Sequence, residues 1–262
     1  MGTLAPVFAR LILAGTLLLA AALAAAQDNY EIQVYGADTV KPGHTMFELH
    51  SNYTFRGSRS IMNGVKPTQD ALHETLEITH GWTDCFETGF YFFTSYQHDQ
   101  GYDYVGSHIR PRVRVPDSWH WKVGASLSAE VGFQRRDFSE DTWTLELRPI
   151  VDKQVGPWYF AFNPTLDESL AGVNASRGWF FSPNVKLSYD TTKKITLGAE
   201  YYGTLGPVSE FDPFEAQQHQ IFPSLDLNMG EEWEFNAGVG FGLTPGTDRF
   251  ILKMILGRRF SF

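Results

Sequence analysis

The sequence predicts an all-β fold, a transmembrane antiparallel up-and-down β-barrel of about 12 strands. Three observations predict it. Apolar and polar residues alternate through most of the chain, short and long connections alternate between these segments, and the tryptophans lie beside the segment ends. The chain has 262 residues, which suits a single domain of this kind after an N-terminal export signal.

The first 26 residues have the three parts of a secretory signal peptide. Residues 1–10 carry one positive charge, residues 11–26 carry none, and Ala24 to Ala26 offer the small side chains that a signal peptidase requires. A membrane-spanning helix is the alternative, but it requires about 20 apolar residues and this run is shorter. We therefore expect residues 1–26 to be a signal peptide and the mature chain to begin at Gln27.

From residue 44 onward, apolar residues recur with the period of two that a half-buried strand requires. The segment 120–134 is the clearest, because its odd positions from Trp121 to Phe133 are all apolar and its even positions are polar or glycine. In a barrel, the polar rows would line the interior and the apolar rows would face lipid. The twelve segments are 44–56, 71–82, 84–97, 102–115, 120–134, 141–152, 157–167, 178–190, 194–205, 218–229, 232–244 and 249–262.

A soluble β-sandwich would show the same alternation, so three further features decide between the two folds. The segments are about 10 to 14 residues long, enough to cross a bilayer at a tilt. Short connections such as "GWTD" and "TTKK" follow even-numbered segments, and longer polar ones such as "GSRSIMNGVKPTQ" tend to follow odd-numbered segments. Aromatic rings prefer the two membrane interfaces, and the expected interface anchors are Trp82, Trp119, Trp121, Trp143, Trp158, Trp179, Trp233 and Phe262.

The composition argues against several other classes of protein. The net charge of −9 disfavours a nucleic-acid groove, and the single Cys85 leaves no partner for an intrachain disulfide or a zinc cluster of thiolates. The motif "HETLE" at 73–77 lacks the second histidine of a zinc-protease helix, and "GVGFG" at 238–242 lies in a strand segment with no helix after it. We expect no cofactor, no metal and no catalytic site.

The last segment, "RFILKMILGRRFSF", places Phe250, Leu252, Met254 and Leu256 on one face and ends in Phe262. A barrel in lipid must pair its last strand with its first, because an open edge leaves backbone groups without partners. This terminus resembles the C-terminal strand of bacterial outer-membrane barrels. The resemblance implies an outer-membrane location, contact with outer-membrane lipids, and recognition of the final aromatic residue by the barrel-assembly machinery.

The stretches "FAFNPTLDESLAG", "FSPNVKLSYDTTKKITLGAEYYGTLGPV" and "FGLTPGTDRFILKMILGRRFSF" resemble a group of uncharacterised outer-membrane barrels. That group is similar to transporters assigned to the meta-pathway of phenol degradation. The resemblance implies passage of small solutes, aromatic or apolar ones among them, and it transfers no site residues. In such a protein residues 27–43 would be a periplasmic strap or a lumen plug, and residues 44–262 would form the barrel.

The inward rows carry most of the charge, and pairing of consecutive strands predicts a mixed cluster near the short turns with a second cluster above it. One interpretation is a constriction that sorts solutes by charge. The other is a network of salt bridges that holds the interior together, and the balance of positive and negative charges favours it. The predicted lumen charges are Glu77, Glu87, Arg110, Arg112, Arg114, Lys122 and Asp152, with Glu130, Glu146 and Arg148 in the second cluster.

Inward aromatic residues could form an apolar path for a solute or could simply fill the lumen. They are Tyr91, Phe93, Tyr159, Phe180, Tyr202 and Phe222. One polar residue does not fit the pattern, because Glu74 shares a face with the apolar Leu72 and Leu76. A bulge or a different register near the start of that strand would turn Glu74 inward.

Three functional hypotheses follow. The leading one is a non-enzymatic barrel that admits a small solute, and the second is a closed structural barrel whose long loops bind a partner. The third is a lipid hydrolase built on Ser51. Neighbouring strand residues point to opposite faces, so His50 could not serve Ser51, and a base would have to be His80 or His219.

Overall fold

The computed structural model describes residues 29–261, so the predicted signal peptide and Phe262 lie outside the described residues. Within this range twelve antiparallel strands each pair with the next, and β12 pairs with β1 to close a barrel. The predicted fold class is confirmed. The strands are β1 His44–Arg56, β2 Ala71–Thr83, β3 Phe86–Gln97, β4 Gly101–Arg114, β5 Gly124–Gln134, β6 Asp141–Val155, β7 Trp158–Gly172, β8 Phe180–Asp190, β9 Ile195–Thr204, β10 Gln218–Leu227, β11 Trp233–Gly242 and β12 Phe250–Ser261.

Each strand has one inner and one outer face, as the alternation predicts. In β12, Ile251 and Lys253 are each 1% exposed inside the barrel, whereas Leu252 is 44% exposed on the outside. Successive side chains of a strand point to opposite faces, so a polar row and an apolar row can share one strand. Low mean hydropathy and a largely apolar outer face are therefore compatible.

The two ends of the barrel differ in their connections. At the short-turn end, residues 84–85 join β2 to β3 and residues 156–157 join β6 to β7. At the long-loop end, residues 57–70 join β1 to β2 and residues 205–217 join β9 to β10. The β4–β5 connection at the short-turn end is longer than expected, because it contains a turn of 3-10 helix at Asp117–Trp119.

A β-bulge in β4 changes which of its residues face inward. Phe93 of β3 pairs with Gly106 and Thr94 pairs with Tyr104, so Val105 is the extra residue between them. Val105 is consequently buried inside the barrel, and Tyr104 is 50% exposed. Strict alternation along the segment 102–115 predicts the reverse, with Val105 facing lipid beside Ile109 and Tyr104 facing the lumen beside His108, and for these two residues that prediction is wrong.

No such bulge turns Glu74 inward. The pairing of β2 with β1 is continuous from Ala71 to His80, so Glu74 keeps the same outer face as Leu72 and Leu76. There it accepts a hydrogen bond from Ser51 Oγ at 3.4 Å. A carboxylate thus lies on the outer wall, three residues from the long-loop end of its strand.

The tryptophans lie at or beside strand ends. Trp82, Trp158 and Trp233 occupy the short-turn end, and the β4–β5 connection adds Trp119 and Trp121. Trp143 lies near the start of β6, and Trp179 directly precedes β8, both at the long-loop end. Helices long and apolar enough to cross a membrane do not occur in residues 29–261.

Candidate functional site

Residues 29–41, which we call the lumen segment, run through the inside of the barrel. At the short-turn end, the amide of Gly43 donates a hydrogen bond to the carbonyl of Gly81 at 2.9 Å. At the long-loop end, Asn29 Nδ2 donates to Asp248 Oδ2 at 2.5 Å. The segment therefore extends from one end of the lumen toward the other and leads directly into β1.

Apolar packing surrounds the lumen segment. Ile32 and Val34 pack with inward side chains that include Tyr202 and Phe222. Further up, Tyr30 packs with Tyr91, Phe93 and Val105. The sequence-predicted inward aromatics therefore lie in the lumen and pack on this segment or line the space above it; they are Tyr91, Phe93, Tyr159, Phe180, Tyr202 and Phe222.

Side chains of the wall satisfy the backbone of the lumen segment, because the segment belongs to no sheet ladder. Asn163 of β7 accepts a hydrogen bond from the Tyr35 amide at 2.8 Å and donates one to the Tyr35 carbonyl at 3.0 Å. It thereby replaces the strand partner that Tyr35 lacks. Thr75 Oγ1 donates to the Tyr30 carbonyl at 2.7 Å in the same way.

A buried charge cluster lies around the lower part of the lumen segment. Arg110 Nη2 lies 2.6 Å from Glu77 Oε1 and 3.5 Å from Glu87 Oε1. Arg112 Nε donates to Glu87 Oε1 at 2.7 Å, and His50 Nε2 lies 3.4 Å from Glu77 Oε2. The cluster matches each guanidinium with a carboxylate, which is the arrangement that a buried pair needs in order to offset its desolvation.

The same cluster binds the lumen segment. Arg112 donates to the carbonyls of Gly36 at 3.1 Å and Asp38 at 2.7 Å. Glu87 Oε2 accepts a hydrogen bond from the Val40 amide at 2.6 Å. Charged groups of β3 and β4 are thus shared between the wall and the segment, and a segment that left the lumen would leave them short of partners.

Three of the predicted cluster members take no part in the ion pairs of Arg110 and Arg112. Lys122 is exposed and precedes β5, because the β4–β5 connection takes up the residues expected to start that strand. Arg114 pairs with Asp117 at the rim of the barrel. Asp152 accepts hydrogen bonds from the Ala37 amide at 3.0 Å and from Tyr159 Oη at 2.8 Å. Among residues 29–261 Lys122 thus forms no ion pair with Asp152, and its predicted place in the lumen cluster is wrong.

The second predicted cluster lies higher in the lumen. Arg148 Nη2 donates to Glu146 Oε2 at 2.7 Å, and Arg148 Nη1 donates to Glu31 Oε1 of the lumen segment at 3.2 Å. Glu130 Oε1 lies 2.6 Å from His108 Nδ1. One arginine here serves two carboxylates, so this cluster carries less positive charge than the one below it.

A third cluster was missed by the sequence reasoning. Lys253 of β12 forms a buried ion pair with Glu200 of β9, and it also donates to the Ile32 carbonyl at 3.1 Å. Lys186 lies 3.3 Å from Glu200 and 2.7 Å from Asp226. The inward parity of Lys253 and Glu200 was the available signal, but β9 and β12 are not neighbours, and strand pairing alone does not place them together.

Above the lumen segment is a cavity of about 570 Å³. Its floor includes Tyr30, Glu31 and Gln33 of the segment, and its walls include the upper parts of the strands and the loops at the long-loop end. Carboxylates outnumber lysine and arginine side chains eight to three among its lining residues. The lumen therefore has a filled lower half and an open, acidic upper half.

Asp248, in the β11–β12 loop, connects that loop to the lumen segment. Besides the bond from Asn29, it accepts a hydrogen bond from Thr68 Oγ1 of the β1–β2 loop at 2.8 Å. Burial raises the pKa of Asp248 above its ordinary value, and the hydrogen bonds from Thr68 and Asn29 oppose that shift. The carboxyl is thus held among neutral donors.

The residues considered for a lipid hydrolase do not come together. Ser51 lies on the outer wall against Glu74, whereas His50 lies in the lumen against Glu77. His80 contacts Thr45, and His219 contacts Tyr201. In residues 29–261 no three histidine, cysteine, aspartate or glutamate side chains are placed to hold a metal ion.

Known proteins resemble this barrel in structure only. No family model and no curated protein matches the sequence. An outer membrane channel from Pseudomonas putida F1 superposes with a TM-score of 0.58 and 12% identity, covering 88% of this chain and 100% of that one. The NanC porin gives a TM-score of 0.53 with 9% identity, covering 82% and 100% of the two chains, and the KdgM porin gives 0.50 with 11% identity, covering 83% and 99%.

These likenesses define a class of fold. The chain has the closed twelve-stranded architecture seen in barrels of the bacterial outer membrane. At such identities the likeness extends to the fold and no further. The predicted similarity to transporters of the phenol meta-pathway stays a prediction.

Proposed function

We propose that this protein is a passive outer-membrane channel for small solutes and that the lumen segment closes its pore. The observation that carries the proposal is a cavity of about 570 Å³, with more carboxylates than lysine and arginine side chains in its lining, that ends on the lumen segment inside a closed barrel. The similar barrels include a channel and two porins by name, which supports the same role. We assign the long-loop end to the cell surface and the short-turn end to the periplasm.

The attachment of the lumen segment suits a reversible closure. The segment is held by side-chain hydrogen bonds, by the ion pair of Glu31 with Arg148 and by apolar packing. A neutral hydrogen bond contributes about 1 kcal/mol net, and one to a charged group such as Arg112 about 1.5–3 kcal/mol. It joins the barrel at the short-turn end, where it leads into β1. It can therefore leave toward the periplasm without breaking any hydrogen bond of the barrel ladder.

Electrical recording in planar bilayers tests the proposal. The mature chain should show small or brief currents, and deletion of residues 27–41 should give large, steady ones. A chain carrying Lys194→Ala in the β8–β9 turn is the control and should behave as the unmodified chain. The chain that lacks residues 27–41 must be shown to form a folded barrel, which heat-dependent migration in gel electrophoresis reports. If this folded barrel gives no current, the lumen is not a pore and the proposal is wrong.

A closed barrel whose loops bind a partner is the second candidate. Apolar side chains at the long-loop end favour it, because Ile61, Met62, Phe211 and Phe214 are all exposed there. A silent bilayer after deletion of residues 27–41 would select this candidate.

The membrane environment is part of the proposal. The exposed outer face of the strands is rich in large apolar side chains, such as Phe92, Leu127 and Phe160, which suits contact with outer-membrane lipids. The proposal also includes export by residues 1–26 and recognition of Phe262 by the barrel-assembly machinery. Both concern residues outside the described range. A preference for aromatic solutes belongs here too, since the inward aromatics would be freed when the lumen segment leaves.

A further inference from the structure

Three carboxylates form a row across neighbouring strands in the upper lumen. Glu130 of β5 lies directly opposite Glu146 of β6, and Glu146 lies directly opposite Asp167 of β7. We call these three residues the carboxylate row. All of them line the cavity above the lumen segment.

Such a row is costly unless cations compensate it. Like charges directly opposite each other on one sheet face destabilise the pair. Arg148 hydrogen-bonds to Glu146, but it is shared with Glu31 of the lumen segment. His108 lies 2.6 Å from Glu130 and is the other group here that can carry positive charge. The row and Glu31 thus place four carboxylates beside Arg148 and His108, whereas Arg110 and Arg112 below are each matched with a carboxylate.

Unused hydrogen-bonding capacity also points into the cavity. Glu130 is 6% exposed, and its Oε2 has no hydrogen-bond partner among the described residues. Gln218 on another part of the cavity wall is 1% exposed, and neither its Oε1 nor its Nε2 is bonded to a described residue. Buried polar atoms are usually paired, so atoms left over at a cavity wall mark a place where a polar ligand gains hydrogen bonds.

Aromatic rings adjoin the row at both ends. Phe180 of β8 lies directly opposite Asp167. At the other end Phe93 packs edge-on against His108, the partner of Glu130, with ring centroids 4.7 Å apart. A cation that approaches the carboxylates can place its apolar part on these rings. A bare metal ion is disfavoured, since residues 29–261 contain no convergent set of metal-binding side chains.

We propose that the carboxylate row binds the ammonium group of a small organic cation whose apolar body packs on the aromatic ring at one end of the row, Phe93 or Phe180. This inference rests on the proposed function, because it makes the cavity the entrance of a solute path, and it narrows that function to cationic solutes. The ammonium would donate to Glu130 and Asp167 and would add to the positive charge that Arg148 and His108 bring to the row.

Calorimetric titration of the detergent-solubilised mature protein tests the inference without requiring an open pore. Three probes share one phenyl ring and differ in charge: phenethylamine, phenethyl alcohol and hydrocinnamate. Phenethylamine should bind about ten-fold or more tightly than the other two. Equal affinity for the alcohol, or tighter binding of the carboxylate, would overturn the inference.

Two variants locate the site. Glu130→Gln and Asp167→Asn keep the size of each side chain and should each weaken phenethylamine binding about ten-fold. Glu232→Gln removes a carboxylate from an exposed turn at the short-turn end and should leave binding unchanged. Unchanged phenethylamine binding in both lumen variants would place the cation elsewhere and would also contradict the inference. If a variant misfolds, the comparison of the three probes on the unmodified protein still decides the charge preference.

Failure of the cation site can be distinguished experimentally from failure of the channel proposal. Amine binding by a protein that remains silent after deletion of residues 27–41 would retain the cation site and remove the channel. Steady currents in the deleted chain, without amine preference in the full chain, would retain the channel and remove the cation site.

Discussion

The two halves of the lumen are built from the same inward-facing rows but treat charge differently. In the lower half, Arg110 and Arg112 are matched with Glu77 and Glu87, and the lumen segment fills the remaining space. In the upper half, carboxylates outnumber lysine and arginine eight to three and border a cavity. The contrast teaches that alternation decides which side chains face inward, whereas the local balance of charge and volume decides whether they build a core or a solute site.

The largest expected effect is the loss of stability when a buried ion pair of the lower half is broken. Arg110→Met would leave Glu77 buried without its closest cation, and removal of one partner from a buried pair costs about 3–5 kcal/mol. Lys66→Met in the upper half removes a partly exposed cation that pairs with Asp103, and about 1 kcal/mol or less should be lost. Equilibrium unfolding in detergent measures both, and equal losses would contradict the contrast between the halves.

An intermediate effect concerns the hold on the lumen segment. Asn163→Leu removes both hydrogen bonds to the Tyr35 backbone, which together contribute about 2 kcal/mol. If the segment closes the pore, the ratio of open to closed states should rise about 30-fold, which single-channel recording measures directly. Ser126→Ala alters a lumen side chain that makes no hydrogen bond to a described residue, and it should leave this ratio unchanged. An equal rise in both variants would show that Asn163 does not hold the segment closed.

The smallest effect is a dependence on pH at the upper end of the segment. Asp248 is buried where the β11–β12 loop contacts Asn29 of the lumen segment, and this burial raises its pKa. The state with this contact formed, which we call docked, therefore binds the proton more tightly than a state in which Asp248 is solvated. Docking is therefore strongest at low pH and weakens as pH rises through the raised pKa. Acidification of the long-loop side should lower the open probability modestly, and Asp248→Asn should remove that response. A response of the same size in the variant would assign it to another group.

The barrel could be predicted in detail because its physical cause is periodic. Strand β1 was expected at 44–56 and lies at His44–Arg56, and the other strands agree closely at most of their ends. Each strand independently requires an apolar outer row, so an error in predicting one strand does not change the prediction for the next. The departures come from single residues that break the period: the bulge at Val105 turns Tyr104 outward, and the long β4–β5 connection removes Lys122 from the lumen.

The site was less accessible to sequence reasoning because its contacts are not between neighbouring strands. Glu77, Glu87 and Arg112 could be placed together, since β2, β3 and β4 pair consecutively. The Lys253–Glu200 pair spans the lumen between β12 and β9, and its position depends on the cross-section of the closed barrel. The course of residues 29–41 was open for a similar reason, because side-chain hydrogen bonds such as those from Asn163 leave no periodic trace in the sequence.

The lumen segment also alters the topology of the polypeptide. An even number of strands returns a chain to the side from which it started, and here the strands run from His44 to Ser261 at one end of the barrel. The segment adds one further traverse, which places Asn29 beside the β11–β12 loop at the opposite end. With the orientation proposed above, Asn29 lies toward the cell surface and Ser261 toward the periplasm, so the polypeptide crosses the barrel once through its own lumen before it builds the wall.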